Sequence, residues 1–278
     1  AAWSDTIWEF ADGKLPILVG LVGQSAALPE HLLVPGAVPF EGAGTNATDP
    51  YLIATAADLA KLAELVNSDD EGTRDAYNDK YYKLTADIDL SDIDPNEDGT
   101  GWVPIGKYRW PETPDYSFKG TFDGNHKIIS GLYINRTGGF SGVFGQISEA
   151  TIKNLGLTDV NVQGGNWSGG IAALALTGAS IENCFVTGLV SGGQYVGGIA
   201  GFANGTASGD KVSIENCYSN LIVTSTGELG KSGGIAGSIQ YGSINNCYTT
   251  GNIAGFQDAG GISGRVGSKS TIRNCAAL

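Results

Sequence analysis

The stretch that decides the fold is SIENCYSN, residues Ser213–Asn220, because the chain repeats its pattern. Related phrases begin at Thr151 (TIKNLGL), Ser180 (SIENCFVTG), Ser243 (SINNCYTTG) and Thr271 (TIRNCAAL). A second phrase alternates with the first, at Ser141 (SGVFG), Ser168 (SGGIAAL), Val196 (VGGIAG), Ser232 (SGGIAG) and Ala259 (AGGISG). Two interleaved phrases indicate a scaffold built from copies of one structural unit.

The spacing of the first phrase is typical of a solenoid. Its asparagine recurs as Asn154, Asn183, Asn216, Asn246 and Asn274, at intervals of 29, 33, 30 and 28 residues. Within one unit, short runs rich in Ile, Val and Leu are separated by glycine, and no helical period links them. Three short strands per turn, stacked in parallel, predict an all-β parallel β-helix, which is right-handed as parallel crossovers are.

The residues around the asparagine predict a bend in the strand. In a straight strand Ile214 and Asn216 share one face, so Cys217 would point the other way. Yet the position after each asparagine holds only Leu155 or a cysteine, which are core residues. Asparagine tolerates the left-handed conformation, so we expect the chain to bend there, with the asparagines stacked as a ladder and the next residue facing the interior.

The four cysteines allow two interpretations. They are Cys184, Cys217, Cys247 and Cys275. As small hydrophobic side chains they would be buried free thiols, which agrees with Leu155 at the same position of another unit. An oxidising compartment leaves disulfides as the alternative.

The phrases resemble the GLUG-motif repeats of bacterial surface proteins, which also occur beside the peptidase domain of immunoglobulin-A-cleaving metallopeptidases. The resemblance begins with DPYLIATAADLAKLAELVN at Asp49, continues through YYKLTADIDLSD at Tyr81, GWVPIG at Gly101 and FKGTFDGNHKIISGLYI at Phe118, and includes every later repeat. It implies a right-handed, single-stranded parallel β-helix in an adhesin-like protein exported to the surface of gut, Bacteroides-type bacteria. It implies no catalytic residues.

The resemblance also predicts the domain organisation. Residues 1–44, with WSDTIWEFADGKLPILVG at Trp3, resemble the closing segment of an upstream β-helix module, so we expect an interior slice of a longer tandem protein. Residues 45–278 form the GLUG-type β-helix, with an N-terminal capping α-helix at about 56–67 and repeat coils at about 141–278. The helix is predicted by a capping box at Thr55 and Asp58 and by one apolar stripe.

The charge excludes two classes of partner. The formal net charge is −13, and binding to nucleic acid or to an anionic membrane needs a basic face. No apolar run reaches the roughly 18 residues of a membrane span, so this region is not expected to insert into a membrane.

The N-terminal segment from Trp3 to Gly20 is expected to pack as an extended strand, either on the coils of its own molecule or head to tail on a neighbouring molecule.

One short motif points to a metal. DPNEDG places Asp94, Asn96 and Asp98 like the opening of a calcium loop, but the twelfth position is Ile105 instead of glutamate. Asp92, Glu112 or Asp115 would have to complete the ligand set. The alternative is a polar turn without metal, so the chain is expected to need no cofactor unless calcium binds here.

The remaining candidates for catalysis are sparse. The chain has two histidines, of which His126 is expected in a turn and His31 has no partner nearby in sequence. No HExxH zinc motif is present. Glu182 and Glu215 occupy matching positions of two repeats and are expected on a solvated face, although paired carboxylates also serve glycoside cleavage.

An aromatic row is the remaining binding candidate. Phe185, Tyr218 and Tyr248 follow the cysteines in three consecutive repeats and are expected to stack outwards, either as sheet stabilisation or as a binding strip. Trp102, Trp110 and Trp167 are expected in loops. We therefore predict a non-enzymatic, extracellular, adhesin-like stalk or binding module whose partner is a host or bacterial surface glycan or protein. The alternative is a substrate-positioning or catalytic domain of a polysaccharide-degrading enzyme.

Overall fold

The computed structural model describes residues 39–94, 98–107 and 115–278, together with the backbone of residues 8–9 and 17–18. Two compact units make up the chain, Ala1–Pro39 and Phe40–Leu278. In the first unit, β1 (Trp8–Glu9) pairs antiparallel with β2 (Ile17–Leu18). The remainder of the segment predicted to dock on a coil, Trp3 to Gly20, lies outside the described residues.

The second unit is a parallel β-solenoid of three sheets, as the repeats predict. The first sheet contains β3 (Tyr51–Ile53), β4 (Tyr81–Leu84), β5 (Ile88–Asp89), β6 (Thr121–Ser130), β7 (Tyr133–Asn135), β10 (Thr151–Gln163), β13 (Ser180–Glu182), β14 (Phe185–Gly192), β17 (Val212–Glu215), β18 (Tyr218–Ser225), β21 (Gly242–Asn245), β22 (Tyr248–Thr249), β23 (Ile253–Ala254), β26 (Thr271–Arg273) and β27 (Ala276–Ala277). The second contains β8 (Phe140–Ser141), β11 (Trp167–Gly169), β15 (Tyr195–Gly197), β19 (Lys231–Gly233) and β24 (Asp258–Gly260). The third contains β9 (Phe144–Ser148), β12 (Ala172–Leu176), β16 (Ala200–Asn204), β20 (Ala236–Gln240) and β25 (Ser263–Val266).

Each strand pairs with the equivalent strand of the next coil, so like residues lie side by side. Ile181 pairs with Ile214, for example, and Phe185 with Tyr218. The parallel pairing extends back through β6 and β4 to β3, before the first clear repeat. The handedness of the coil stays a prediction.

Two helices interrupt the early coils, α1 (Ala56–Val66) and α2 (Glu71–Tyr77). The predicted capping box of α1 is present: the Thr55 hydroxyl accepts the Asp58 N–H at 3.1 Å, and the Asp58 carboxylate accepts the Thr55 N–H at 2.9 Å. The predicted apolar stripe is buried. That α1 covers the end of the solenoid stays a prediction. Neither helix, among the residues that the structure describes, has the length and hydrophobicity required to span a membrane.

The asparagine of the first phrase bends the strand, as predicted. All five asparagines have a positive φ, between 52° and 54°. At each of them the first sheet turns a corner, and β13 and β14, which flank Asn183, both pair with β10. Because asparagine accepts the left-handed conformation at little cost, the bend needs no glycine.

The asparagine side chains form a hydrogen-bonded ladder along the solenoid. Each amide nitrogen donates to the amide oxygen of the preceding coil, at 3.3 Å (Asn183 to Asn154), 3.2 Å (Asn216 to Asn183), 3.2 Å (Asn246 to Asn216) and 3.1 Å (Asn274 to Asn246). The ladder starts at Asp123, whose carboxylate accepts from Asn154 at 3.0 Å. Each inner rung therefore both donates and accepts, which fixes the register of successive coils.

The residue after the asparagine faces the interior. Leu155, Cys184, Cys217 and Cys247 are buried, whereas Cys275 of the last coil is half-buried. All four cysteines are free thiols in the structure, which agrees with the first interpretation. Hydrogen bonding to neighbouring thiols, together with burial, raises the pKa of Cys217 and Cys247, and burial raises the pKa of Cys275.

The thiols also bond to the backbone at the bend. The Cys217 thiol donates to the Glu215 carbonyl at 3.2 Å, and the Cys247 sulfur accepts the Cys217 N–H at 3.4 Å. The same pair of contacts links Cys247 to Asn245 and Cys275. Cysteine is therefore more than a small hydrophobic side chain here, because its sulfur makes hydrogen bonds to backbone groups that a leucine side chain cannot make.

The glycines of the second phrase bring two sheets into backbone contact. A Cβ on Gly197 would lie 1.9 Å from the Ala200 carbonyl oxygen and 2.8 Å from the Gly237 nitrogen. A Cβ on Gly237 would in turn lie 2.5 Å from the Val196 nitrogen. We call this contact between the second and third sheets the glycine seam. No side chain fits into it.

Replacing Asn216 separates the two contributions of the ladder residue. Asn216→Gly keeps a φ of 54° accessible but removes both amide hydrogen bonds, so we expect it to lower the free energy of unfolding by about 1–2 kcal/mol. Asn216→Ala removes the same hydrogen bonds but keeps a Cβ at this left-handed φ without the polar side chain that makes the conformation accessible, so it should cost about 1 kcal/mol more than Asn216→Gly. Urea unfolding followed by circular dichroism measures both, with exposed Lys211→Ala as the control. An unchanged midpoint for Asn216→Gly would show that the ladder adds no stability.

The thiols can be counted directly. A thiol reagent applied to the denatured chain without reductant should detect four free thiols. If it detects no free thiol, the disulfide alternative is established. In the folded chain we expect Cys275 to react first, because it is the least buried of the four. Cys275→Ser should remove that fast phase while the other three thiols stay protected. Equal rates for all four would contradict the buried placement.

Candidate functional site

The predicted aromatic row lies in register on the outside of the first sheet. Gly156 pairs with Phe185, Phe185 with Tyr218, and Tyr218 with Tyr248. The rings of Tyr218 and Tyr248 stack with centroids 4.3 Å apart and planes 25° apart. The Tyr218 hydroxyl lies 3.0 Å from the Thr250 hydroxyl. The side chain of Tyr248 remains 47% exposed, so the stack is open to solvent.

The Phe185 ring covers Gly156 of the preceding coil. A Cβ on Gly156 would lie 2.5 Å from both Cε1 and Cζ of the Phe185 ring. Glycine at position 156 is therefore what allows the ring to lie over the strand. One side of the ring contacts the Gly156 backbone, and Phe185 is half-buried. The row thus combines a ring lying over the sheet with a stacked tyrosine pair.

A notch of about 180 Å³ lies on the same limb of the first sheet. Gly188 and Gly251 contribute no side chains to the notch, because the preceding coil leaves no room for a Cβ at either position. A Cβ on Gly188 would lie 2.2 Å from the Val160 oxygen, and a Cβ on Gly251 would lie 1.8 Å from the Leu221 oxygen. Asn220, Thr250 and Asn252 line the notch and are exposed. Ile222, which is 50% exposed, lines it as well.

The polar side chains at the notch are available for a ligand. Within the described part of the chain, the side-chain amides of Asn220 and Asn252 make no hydrogen bond to another protein group. The Thr250 hydroxyl bonds only to Tyr218 there. Each amide offers donors and an acceptor, and a hydroxyl offers both. We call the surface formed by Phe185, Tyr218, Tyr248 and the notch the aromatic face.

The aromatic face carries no charge. β14, β18 and residues 248–254 contain no Asp, Glu, Lys or Arg, although 16% of the chain is charged. The charged column runs on the other side of the asparagine ladder, where Lys153 pairs with Glu182 and Glu182 with Glu215 in register. Along these three coils the ladder therefore separates the charged column from an uncharged surface, whereas the preceding strands carry Asp159 and Lys127 on the same limb.

The two matching glutamates behave as ordinary surface residues. Glu182 accepts a hydrogen bond from the Ser180 hydroxyl at 2.6 Å, and Glu215 accepts one from Ser213 at 2.8 Å. Asn245 donates to Glu215 at 3.3 Å from the next coil. His126 has a φ of 59° at a bend of β6, as expected for a turn residue. His31 lies outside the described residues.

A second aromatic column was missed by the sequence reasoning. Phe140 stacks on Trp167 at 4.8 Å, and Trp167 on Tyr195 at 6.2 Å. Tyr195 also stacks on Phe202 at 5.0 Å, and the Lys231 ammonium lies 5.2 Å from its ring centroid. The rings cover one another face to face, so the column mainly stabilises the second sheet. The sequence did carry a signal for this column. Phe140, Trp167 and Tyr195 each directly precede a copy of the second, glycine-containing phrase.

The expectation that the tryptophans lie in loops is wrong for Trp167, whereas Trp102 lies outside the helices and strands as expected. Trp167 belongs to β11 because its ring continues the aromatic column. Trp102 is fully buried, and its indole N–H donates to the Val143 carbonyl at 3.1 Å. Trp110 lies outside the described residues.

A larger groove of about 340 Å³ lies beside the early coils and is lined by Asn67, Pro104, Lys107, Arg136 and Phe140. The Lys107 ammonium is already paired with Asp69 at 3.0 Å and lies 4.4 Å from the Tyr116 ring centroid. Its charge is thus engaged within the protein.

The predicted calcium loop is only partly described. The Asp94 carboxylate accepts the Gly99 N–H at 2.7 Å, and Asp98 accepts the Thr100 N–H at 2.9 Å. Hydrogen bonds from Thr100 lower the pKa of Asp98. Asn96 and Glu112 lie outside the described residues, and Asp115 bonds to Ser117 and Lys119. In the ranges that the structure describes, no three His, Cys, Asp or Glu side chains cluster as a metal site, and calcium stays a prediction.

The chain resembles parts of much longer proteins. It is 32% identical over 171 residues to halomucin of Haloquadratum walsbyi, covering 60% of this chain and 2% of that protein. It is 36% identical over 149 residues to a "Putative Gly-rich membrane protein" of Evansella cellulosilytica, covering 52% of this chain and 14% of that protein. The chain therefore spans a small fraction of either relative.

A solved structure shows the same fold. The crystal structure of a "putative immunoglobulin A1 protease" from Bacteroides ovatus superposes with a TM-score of 0.62 at 24% identity, covering 86% of this chain and 78% of that one. At this identity the likeness concerns the solenoid alone. No model of a known protein family matches the chain, so the GLUG assignment stays a resemblance.

A calcium site at DPNEDG makes a measurable prediction. An ion bound only to the folded state raises the melting temperature in millimolar calcium relative to excess chelator. Asp98→Asn keeps an oxygen for the Thr100 N–H but lowers the charge, so it should abolish the shift and serve as the matched control. If calcium and chelator give the same melting temperature, Asp94 and Asp98 are turn residues only.

Proposed function

We propose that this chain is a non-enzymatic, extracellular module of a larger bacterial surface protein, acting as an adhesin-like stalk with a binding surface on its side. The observation that carries the proposal is the asparagine ladder, which is continuous from Asp123 to Asn274. A ladder of this kind holds every coil in register over one continuous core, and a solenoid so built is a stiff spacer.

The relatives support placement at a cell surface. One is named halomucin and the other a Gly-rich membrane protein, and this chain matches only a small part of each. A module that corresponds to a small part of a much longer chain fits a spacer or display role. The surface of this module is also acidic, with a formal net charge of −13, which suits a soluble extracellular segment.

The side chains favour binding over catalysis. Glu182 and Glu215, the best-matched carboxylates, lie on a charged column of the first sheet and bond to neighbouring serines. Catalytic carboxylates normally converge on a substrate cleft. The aromatic face instead offers exposed rings and unpaired amides, which are binding groups.

The proposal is tested with beads that display the chain through a C-terminal tag. Under flow, we expect them to be retained on mucin-coated or bacterial-cell-coated surfaces several-fold longer than beads without the chain. The same surfaces should release no reducing ends or peptides, because the module does not cleave its partner. Retention equal to that of bare beads would overturn the adhesin role, and released fragments would establish the enzyme alternative.

A further inference from the structure

We propose that the aromatic face binds a neutral oligosaccharide, laid along the solenoid axis across three coils. This rests on the proposed binding function and specifies its ligand class. Phe185 and Tyr248 supply the main apolar contacts, Tyr218 supports the Tyr248 ring by stacking on it, and Asn220, Thr250 and Asn252 supply the polar contacts.

The rings match the apolar side of a sugar. One side of a pyranose ring carries mainly C–H groups, which pack against the electron-rich face of an aromatic ring. Phe185 lies over Gly156, which leaves the outer side of its ring toward the surface. Tyr248 ends the tyrosine stack and is 47% exposed. These rings are held by the sheet, so binding orders few side chains.

The notch matches the polar edge of the same sugar. Sugar hydroxyls both donate and accept, and they are best satisfied by groups that do the same. The amides of Asn220 and Asn252 lie at the notch without a protein partner in the described chain. The Thr250 hydroxyl connects the notch to the Tyr218 hydroxyl at 3.0 Å. Apolar and polar groups thus lie side by side on one surface.

The electrostatics favour a neutral glycan over an acidic one. β14, β18 and residues 248–254 hold no cation that could pair with a carboxylate or sulfate. The net charge of −13 adds repulsion against any polyanion. A protein partner would more often meet charged groups around the rim of its interface, and these three segments offer none.

The repeat of the site suits a polymer. Coils of a parallel sheet are about 4.8 Å apart, which is close to the length of one hexose unit. A glycan running along the axis would therefore meet the Phe185 ring, then the edge of the Tyr218 ring and then Tyr248, one in each successive coil. Three coils give a site for an oligosaccharide rather than a single sugar.

Binding can be measured by calorimetry on the full chain. The probes are tetrasaccharides of glucose, mannose, galactose and N-acetylglucosamine, with oligogalacturonate and a heparin fragment as acidic counterparts. We expect at least one neutral probe to bind and the acidic ones not to bind. Tyr248→Ala and Asn220→Ala, both at exposed positions, should each weaken binding about fivefold or more. Glu182→Gln, across the ladder, is the matched control and should bind as the parent does.

The outcomes separate this inference from the proposed function. Binding of none of the neutral probes, a preference for acidic ones, or full affinity in both variants would overturn the glycan site. If no probe binds and the beads still adhere under flow, the adhesin role stands and its partner is a protein; a preference for acidic probes would instead identify an acidic glycan. Dimerisation that Tyr248→Ala abolishes, seen by light scattering, would assign the face to self-association. Urea midpoints equal to the parent's confirm that the variants are folded.

Discussion

The structure depends on one backbone conformation, an asparagine at positive φ that recurs once per coil. Because its amide can donate to one neighbour and accept from the other, the same residue that bends the strand also holds adjacent bends in line. Once the bends are aligned, every other position of the repeat is forced to stack on its equivalent. The buried thiols, the charged residues and the outward rings become columns as a consequence, and the ladder runs between the glutamate column and the aromatic face.

The glycine seam is the second constraint, and it acts across the coil instead of along it. Where the second and third sheets meet, their backbones approach so closely at Gly197 and Gly237 that no side chain fits between them. Buried serines such as Ser168 and Ser232 lie beside this contact and are fully enclosed. The coil is therefore held by backbone contact at the glycine seam, while the rest of its interior is filled mainly by Ile, Val and Leu side chains.

Features that repeat were predictable from the sequence, and features that depend on differences between repeats were not. The bend at Asn216, the inward Cys217 and the row through Tyr218 all follow from periodic spacing. The column through Phe140, Trp167 and Tyr195 escaped notice because each coil uses a different residue type there. The notch was equally hidden, since it arises where Gly188 and Gly251 lack side chains, which only the path of the preceding coil explains. Which way the Phe185 ring leans depends on Gly156, a single departure from the aromatic pattern.

The unequal length of the repeats has its own consequence. Between the third sheet and the next first-sheet strand, the connection is Tyr241 alone in one coil but residues 205–211 in another. The ladder is unaffected, because Asn183 and Asn216 remain bonded at 3.2 Å across the longest interval. Lengthening a surface connection costs little free energy, growing only with the logarithm of its length. This corner can therefore accept insertions and deletions, so that new sequence can be displayed there while the stacking of the solenoid coils stays unchanged.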